Sequence, residues 1–339
     1  MTKRKKYAEN MYQAQVLDEK YFKIFGGVYN DFRKRCHIDY KFELDPLDYN
    51  DFIEYFTKGL LSCILLLEDD IPTGFLAYSA ALEDAIELYV VHCLGAENIP
   101  EKKNCLVQKF LELTAQKRQK ALVSYPMLGV QAQYKDMMAN YGFKFIDLGV
   151  VVFDINNKKV LKDFYEIKFT DLPIGYKITP YRDVYFDELV EVVFEAFKNS
   201  SDVNFDPRFK TIEGIRDILE KITNSIYGKF LPQCSKVLLA ESKVAGFAFA
   251  NVTGDYIGNI PLVGIIPEHR GLNLSEVMLK AVLEDVVKLN KSGFIKLKEV
   301  NASVDMQNES AARMYAQIGF KQSYTYPQGY LPKSGSDEF

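Results

Sequence analysis

The chain carries a weak internal repeat, and its first anchor is a pair of apolar runs joined by a short polar turn. This pattern occupies residues 62–78 in the first half of the chain and residues 235–249 in the second half. Gly74 and Gly246 stand at the same place in the two copies, 172 positions apart. Each copy predicts two β-strands that form a hairpin.

The second anchor is a short helical pattern that ends in Gly-Phe. Gly142 and Gly319 end the two copies, 177 positions apart. A glycine at this place favours the left-handed conformation that closes a helix. Because the two offsets agree to within one loop insertion, the sequence predicts two copies of one fold. The apolar residues at helical spacing are Tyr134, Met137, Met138 and Tyr141 in the first copy and Ala311, Met314, Tyr315 and Ile318 in the second.

The length of the chain agrees with two compact domains, because 339 residues exceed what one hydrophobic core usually serves. We predict a first domain over residues 1–155 and a connector over residues 156–174. A second domain is predicted over residues 175–332, with a tail over residues 333–339. The second domain reads as strand, two helices, hairpin, strand, helix, strand, helix and strand, which predicts an α/β fold of the α+β kind with a mixed sheet.

Composition limits the classes of function. The chain is 48% apolar with a formal charge of −4, which predicts a folded protein without nucleic acid as its partner. Apolar runs such as residues 63–67 are too short to span a bilayer, and polar residues follow the basic segment Met1–Lys6, so we expect no membrane partner and a cytoplasmic location. Its five cysteines form no C-x-x-C pair, and we expect neither a disulfide framework nor a metal.

The segment that carries chemistry is residues 263–279, where a strand runs through a polar turn directly into an amphipathic helix. Such a junction leaves backbone N–H groups unpaired at the start of the helix, and these groups bind anions such as a diphosphate. Arg270 adds a positive charge to this turn.

This segment resembles the acyl-CoA-binding motif of the GNAT superfamily of N-acetyltransferases, Arg/Gln-x-x-Gly-x-Gly/Ala. Arg270 fills the first position, while Asn273 and Ser275 stand where the family prefers Gly and Gly or Ala. Asn tolerates a positive φ, and a serine in the first turn of a helix can bind a phosphate. The resemblance implies two tandem GNAT-like domains, with acetyl-CoA as cosubstrate and no metal. The residues that it implies for acyl-CoA binding are Val263, Gly264, Ile265, Ile266, Arg270, Gly271, Leu272, Asn273, Leu274, Ser275, Asn308 and Ala311.

A second segment, residues 301–320, resembles the closing motif of the same family: a strand, an Asn, Ala and Tyr on a short helix, and Gly-Phe. The resemblance implies that Asn308 contacts the pantetheine arm, and a helix N-cap is an equally good interpretation of that residue. For Tyr315 the resemblance implies the acid that protonates the departing thiolate. The alternative for Tyr315 is a core aromatic residue.

By the same resemblance, a primary amine of a small molecule or peptide attacks the thioester directly, in a ternary complex. The backbone N–H groups of Ile265 and Ile266 are expected to polarise the thioester carbonyl. Glu268, Asp255 and His269 are weak candidates for the general base, since each is better explained as a surface or loop residue.

The first half lacks these features at the corresponding positions. Those of Asn308, Ala312 and Tyr315 hold Gln131, Lys135 and Met138, and residues 93–103 lack the Arg-x-x-Gly-x-Gly spacing. We therefore interpret the first half as a degenerate GNAT-like domain that does not bind CoA. Two alternatives for the whole chain are a non-catalytic acyl-CoA sensor and an aminoacyl-tRNA-dependent transferase of related fold.

Overall fold

A computed structural model describes residues 12–168 and 171–334. The basic segment Met1–Lys6 and the last five residues of the predicted tail lie outside this description. The described chain divides into two compact units. Unit 1 comprises residues 12–145 and 326–334, and unit 2 comprises residues 146–325 without 169–170.

Unit 1 begins with a strand and two helices, and three consecutive strands follow. Its elements are β1 (Tyr12–Val16), α1 (Phe22–Arg35), α2 (Tyr49–Thr57), β2 (Ser62–Glu68), β3 (Ile71–Ser79), β4 (Ala85–Cys93), α3 (Ile99–Thr114), β5 (Leu122–Pro126) and α4 (Lys135–Ala139).

Unit 2 follows a similar order with additional short strands, preceded by one strand and one helix, and its last strand continues into unit 1 from residue 326. Its elements are β6 (Lys144–Phe153), α5 (Lys158–Glu166), β7 (Tyr176–Pro180), α6 (Phe186–Phe197), α7 (Ile212–Thr223), β8 (Lys229–Phe230), β9 (Lys236–Ala240), β10 (Lys243–Ala248), β11 (Asn251–Thr253), β12 (Ile257–Asn259), β13 (Val263–Ile265), α8 (Leu274–Lys291), β14 (Glu299–Asp305), α9 (Glu309–Ile318) and β15 (Lys321–Leu331).

The sheets are mixed, as the sequence predicted. In unit 1, β1 to β4 are antiparallel neighbours and β5 lies parallel to β4. In unit 2, β7, β9, β10 and β13 form an antiparallel sheet, and β12 lies parallel to β14. The α/β prediction is therefore confirmed, and helices cover both faces of each sheet with apolar side chains.

Both repeat anchors are present in the structure. The hairpin turns use two consecutive residues of positive φ, Asp69 with Asp70 and Glu241 with Ser242, which suits the twist of the flanking strands. A Cβ at Gly74 would lie 2.7 Å from the backbone oxygen of the neighbouring strand, and a Cβ at Gly246 would lie 2.9 Å from the equivalent oxygen. Glycine is required at both places by this close approach.

The Gly-Phe helix ends are equally alike. Gly142 has φ +87° and Gly319 has φ +105°, the left-handed conformation that the sequence predicted. The N–H of the following phenylalanine donates to a carbonyl five residues back, from Phe143 to Met138 (3.3 Å) and from Phe320 to Tyr315 (3.0 Å). Both helices therefore end in a Schellman motif.

The unit boundaries follow strand pairing. Residues 148–153 of β6 pair with β14, and residues 328–331 of β15 pair with β5. Unit 2 therefore includes the last strand of the first half of the sequence, β6. Unit 1 includes the end of the last strand of the second half, β15. The predicted connector contains α5, which buries Phe164 against Phe153 of unit 2 (ring centroids 5.4 Å apart). None of the described helices combines the length and apolarity that a bilayer crossing needs.

Candidate functional site

Two neighbouring strands of unit 2 separate part-way along their length. β12 pairs with β14 up to Asn259 and Asn301, and the N–H of Ile260 donates to the Asn301 carbonyl (2.9 Å). Beyond this point the chain continues as β13, which pairs with β10, while β14 pairs with β6. We call the opening between β13 and β14 the unit 2 split.

The edge of β13 that faces this split carries unpaired backbone groups. The N–H of Ile266 donates to Ala245 on β10 (3.1 Å), and Phe249 donates to Leu262 (2.9 Å). In an antiparallel pair the hydrogen bonds alternate, so the N–H groups of Val263 and Ile265 point away from β10. No acceptor for either N–H is found among the described residues.

This geometry corrects one expectation. The backbone N–H of Ile266 is occupied by Ala245 and is not available to polarise a carbonyl. The N–H of Ile265 lies on the free edge, and its contact with a thioester carbonyl stays a prediction.

The turn after β13 leads into a helix, α8, whose first turn has no side-chain cap. Gly271 has φ +82° and Asn273 has φ +54°, and Asn273 precedes α8 without capping it through its side chain. The N–H groups of Leu274, Ser275 and Glu276 find no acceptor in the described part of the chain, and the first helical hydrogen bond runs from Val277 to Asn273 (3.4 Å). These groups and the helix dipole favour an anion at this place.

Arg270 lies beside this turn but holds protein groups. Its Nε donates to the carbonyl of Ile265 (2.9 Å) and its guanidinium also donates to the carbonyl of Ala196 at the end of α6 (3.0 Å). The side chain therefore lies at the mouth of the split and fixes α6 to β13. Its contact with a diphosphate stays a prediction.

The residues of the second motif lie on α9. Asn308 is the N-cap, and its side chain accepts from the N–H of Ala311 (3.0 Å). Tyr315 is buried against Phe320 with ring centroids 5.1 Å apart. Burial raises the pKa of the Tyr315 hydroxyl above its ordinary value, because the charged form would lose its hydration. Both interpretations that the sequence left open for these residues, the cap and the core aromatic residue, are present.

The site residues share one hydrophobic core. Leu274 and Tyr315 belong to the same buried cluster as Ile265, and Val263 and Ala311 pack at its margin. Gly271, Leu272 and Asn273 are exposed in the turn, Gly264 faces Phe247, and Ser275 donates to Glu276 (3.1 Å). The fold therefore gathers the predicted residues of the two motifs in unit 2.

The candidate bases are placed less favourably. Asp255 lies in the β11–β12 turn, at the far end of the strand from Ile265, and Glu268 is exposed. His269 bonds to the hydroxyl of Tyr176 through Nδ1 (2.7 Å).

Two carboxylates that sequence reasoning missed lie on the segment after α6 and at the end of β14. Ser201 donates to Asp305 (2.5 Å), and the neighbouring Asp202 has a pKa raised by burial. Since Arg270 binds Ala196 and Ser201 binds Asp305, residues 196–201 connect the ends of the two separated strands. This connection is tertiary, and no local pattern indicates it.

Comparison with known proteins agrees with this architecture. A GCN5-related N-acetyltransferase from Sphaerobacter thermophilus is 14% identical with a TM-score of 0.65, over 97% of this chain and 98% of that protein. A tandem GNAT protein from the clavulanic acid biosynthesis pathway is 11% identical with a TM-score of 0.61, over 96% of this chain and all of that protein. The chain has a tandem GNAT fold.

A third structure with the GNAT fold is a glucosamine N-acetyltransferase region of a fungal multi-domain GH3 β-N-acetylglucosaminidase. It is 11% identical with a TM-score of 0.61 over 94% of this chain and 38% of that protein. No protein-family model matches the chain, and no curated protein matches it by sequence. The likeness is therefore one of fold, and the site residues carry the functional argument.

The other GNAT repeat, unit 1, also has a split, between β4 and β5. These strands pair only from Ala85 to Glu87, after which β4 follows β3 alone. The N–H of Val91 occupies the place of Val263, and the side chain oxygen of the fully buried Gln131 accepts from it (3.1 Å). Gln131 also accepts from the Tyr125 hydroxyl (2.8 Å). In the unit 1 split, the N–H at the position of Val263 is thus already paired with a side chain of its own unit.

Proposed function

We propose that unit 2 transfers an acetyl or other short acyl group from acyl-CoA to a primary amine. The observation that carries this proposal is the combination of the free edge at Val263 and Ile265 with the open first turn of α8. An extended, amide-containing arm with a diphosphate at one end fits that combination, because it can pair with a strand edge and place its charge at a helix start. Acetyl-CoA is the cosubstrate we propose.

In this proposal, different residues bind different parts of acyl-CoA. The N–H groups of Val263 and Ile265 offer one hydrogen bond each, one to the pantetheine arm and one to the thioester oxygen. The N–H groups of residues 274–276 receive the diphosphate. Gly271 and Asn273 supply the positive φ values that turn these N–H groups outward.

Tyr315 supplies the proton in this proposal. The amine attacks the thioester carbon, the carbon–sulfur bond breaks, and the sulfur takes the phenolic proton of Tyr315. The phenol is protonated at neutral pH, as this step requires. Burial raises its pKa further, so the transfer depends on the negative charge that develops on the sulfur. Placement in a core that also contains Ile265 and Leu274 keeps water away from the proton.

On the amine side, Asp202 and Asp305 give the proposed acceptor an acidic surrounding. Burial raises the pKa of Asp202, which makes its carboxylate a better proton acceptor than an exposed aspartate. A small-molecule or peptide amine, positively charged before it loses a proton, suits this surrounding and the net charge of −4. A cytoplasmic location, without a nucleic acid or membrane partner, is part of the same proposal.

The test is a panel of polyamines, amino sugars, aminoglycosides and N-terminal peptides with acetyl-CoA, with detection of released thiol and of the acetylated product by mass. We expect at least one amine class to give product. Binding of acetyl-CoA without turnover on any class would favour the non-catalytic sensor. Ligand-independent melting would contradict both functions.

A further inference from the structure

Three side chains with different metal-binding atoms meet in unit 1, outside both splits. The Sγ of Cys36, a ring nitrogen of His37 and a carboxylate oxygen of Asp45 all lie within 4.8 Å of one another. Cys36 follows the last residue of α1, and Asp45 lies in the loop before α2. We propose that Cys36, His37 and Asp45 form a binding site for a divalent transition metal, with Zn²⁺ as the best fit.

The hydrogen bonds of His37 favour this site. Its Nδ1 lies 2.6 Å from the carbonyl oxygen of Phe42, which accepts only and therefore fixes the proton on Nδ1. Nε2 then faces Asp45 at 2.8 Å. Histidines that bind metals usually donate their other N–H to a carbonyl or a carboxylate, as His37 does here.

The Nε2 of His37 and the carboxylate oxygen of Asp45 lie 2.8 Å apart, which requires either a proton shared by the two groups or a metal ion in its place. The thiol of Cys36 distinguishes the two, because an ion pair does not need it and a zinc ion binds it strongly as a thiolate.

The loop is already closed in a way that brings the ligands together. The N–H of Phe42 donates to the carbonyl of Cys36 (3.0 Å), which folds residues 36–42 back on themselves. Tetrahedral zinc separates a nitrogen and an oxygen ligand by roughly 3.3 Å, and zinc–sulfur bonds are about 2.3 Å. The side chains of His37 and Asp45 are exposed and can move to reach this geometry, while Cys36 is held in the core. Three protein ligands leave the fourth position to water.

The selection of the metal follows from the donor atoms. One sulfur, one imidazole nitrogen and one carboxylate oxygen suit Zn²⁺ or Co²⁺ and are a poor match for Mg²⁺ or Ca²⁺, which prefer oxygen alone. The metal would join the end of α1 to the loop before α2, so its binding should stabilise unit 1.

The test uses the full chain without an affinity tag, stripped of metal, and titrated with Co²⁺ and then Zn²⁺. We expect one Co²⁺ per chain, with a thiolate-to-cobalt charge-transfer band that Zn²⁺ abolishes. Cys36→Ser should remove the band, and Asp45→Asn should weaken binding at least tenfold. Cys105→Ser is the matched control, because Cys105 is a partly exposed thiol of the same unit that is not grouped with other metal-binding side chains among the described residues.

Absence of a charge-transfer band in the unmodified chain would overturn the proposal, and so would an unchanged band in Cys36→Ser. If Cys36→Ser does not fold, His37→Asn decides the question, because the exposed His37 can be replaced without disturbing the core, and at least tenfold more Co²⁺ should then be needed to produce the band. An unchanged Co²⁺ titration of His37→Asn would also overturn the proposal.

Discussion

The two splits of this molecule have the same strand pattern and different contents. In unit 1, Gln131 binds the Val91 N–H, and His92 fills the position of Gly264 with a buried imidazole. In unit 2, the equivalent Val263 N–H has no acceptor among the described residues. A strand edge that binds its own side chain cannot bind a ligand as well, since one N–H makes one strong hydrogen bond.

The turns that follow the two splits also differ between the units. Eight positions separate Ile265 from Asn273, whereas five separate the equivalent Cys93 from Asn98. Both asparagines have a left-handed conformation before a long helix, with φ +54° and +55°. A left-handed asparagine before the helix is therefore common to both units, but Pro100 removes one of the first N–H groups of α3. Arg270 and a free N–H at the position of Val263 are particular to unit 2.

The largest expected effect is on catalysis. Tyr315→Phe removes the proposed acid, and we expect turnover to fall by about 100-fold or more, with acetyl-CoA binding nearly unchanged. The matched control is Tyr141→Phe on the corresponding helix end of unit 1, which should leave turnover unchanged. Single-turnover acetylation is the measurement, and equal rates for both variants would remove Tyr315 from the mechanism.

The next effect is on binding. Arg270→Glu places a negative charge beside the proposed diphosphate position and removes the bond to the Ile265 carbonyl. We expect acetyl-CoA affinity to fall at least tenfold, measured by calorimetry and by thermal shift. Arg182→Glu makes the same change of charge at an exposed position of unit 2 and should keep the affinity. Similar losses in both variants would show a general charge effect.

Part of the comparison could be predicted from the sequence, because it rests on local chemistry. The hairpin turns and the Gly-Phe helix ends depend on residues a few positions apart, and Asn273 adopts the positive φ that its type tolerates. Strand partners of β6 and β15 depend on residues more than 100 positions away, so no local pattern fixes them. The sequence placed Gln131 at the position of Asn308, but only the fold brings its side chain to Val91.

The third effect is on the stability of unit 1. Gln131→Ala leaves the Val91 N–H and the Tyr125 hydroxyl unpaired, which should cost about 1–3 kcal/mol. Urea unfolding should detect this loss, and acetyl-CoA affinity should not change. Gln317→Ala, at an exposed position, is the control. A gain of a second acetyl-CoA per chain in Gln131→Ala would mean that Gln131 alone keeps unit 1 from binding.

The smallest effect separates conformation from ligand binding. Asn273→Ala and Asn98→Ala each force alanine into a left-handed conformation, at a cost of about 1 kcal/mol, and the corresponding Gly variants should avoid it. Both Ala variants should therefore lose similar stability. Only Asn273→Ala should also lose affinity for acetyl-CoA, and an equal loss in Asn98→Ala would contradict the assignment of the site to unit 2.

Amide hydrogen exchange at single-residue resolution, with and without acetyl-CoA, shows directly which strand edge binds the ligand. We expect the ligand to slow exchange of the Val263 and Ile265 amides and of the amides of residues 274–276. Exchange of the Val91 amide should be slow already and should not change. Ligand-induced protection at residues 91–98, with none at residues 263–276, would contradict the assignment of the site to unit 2.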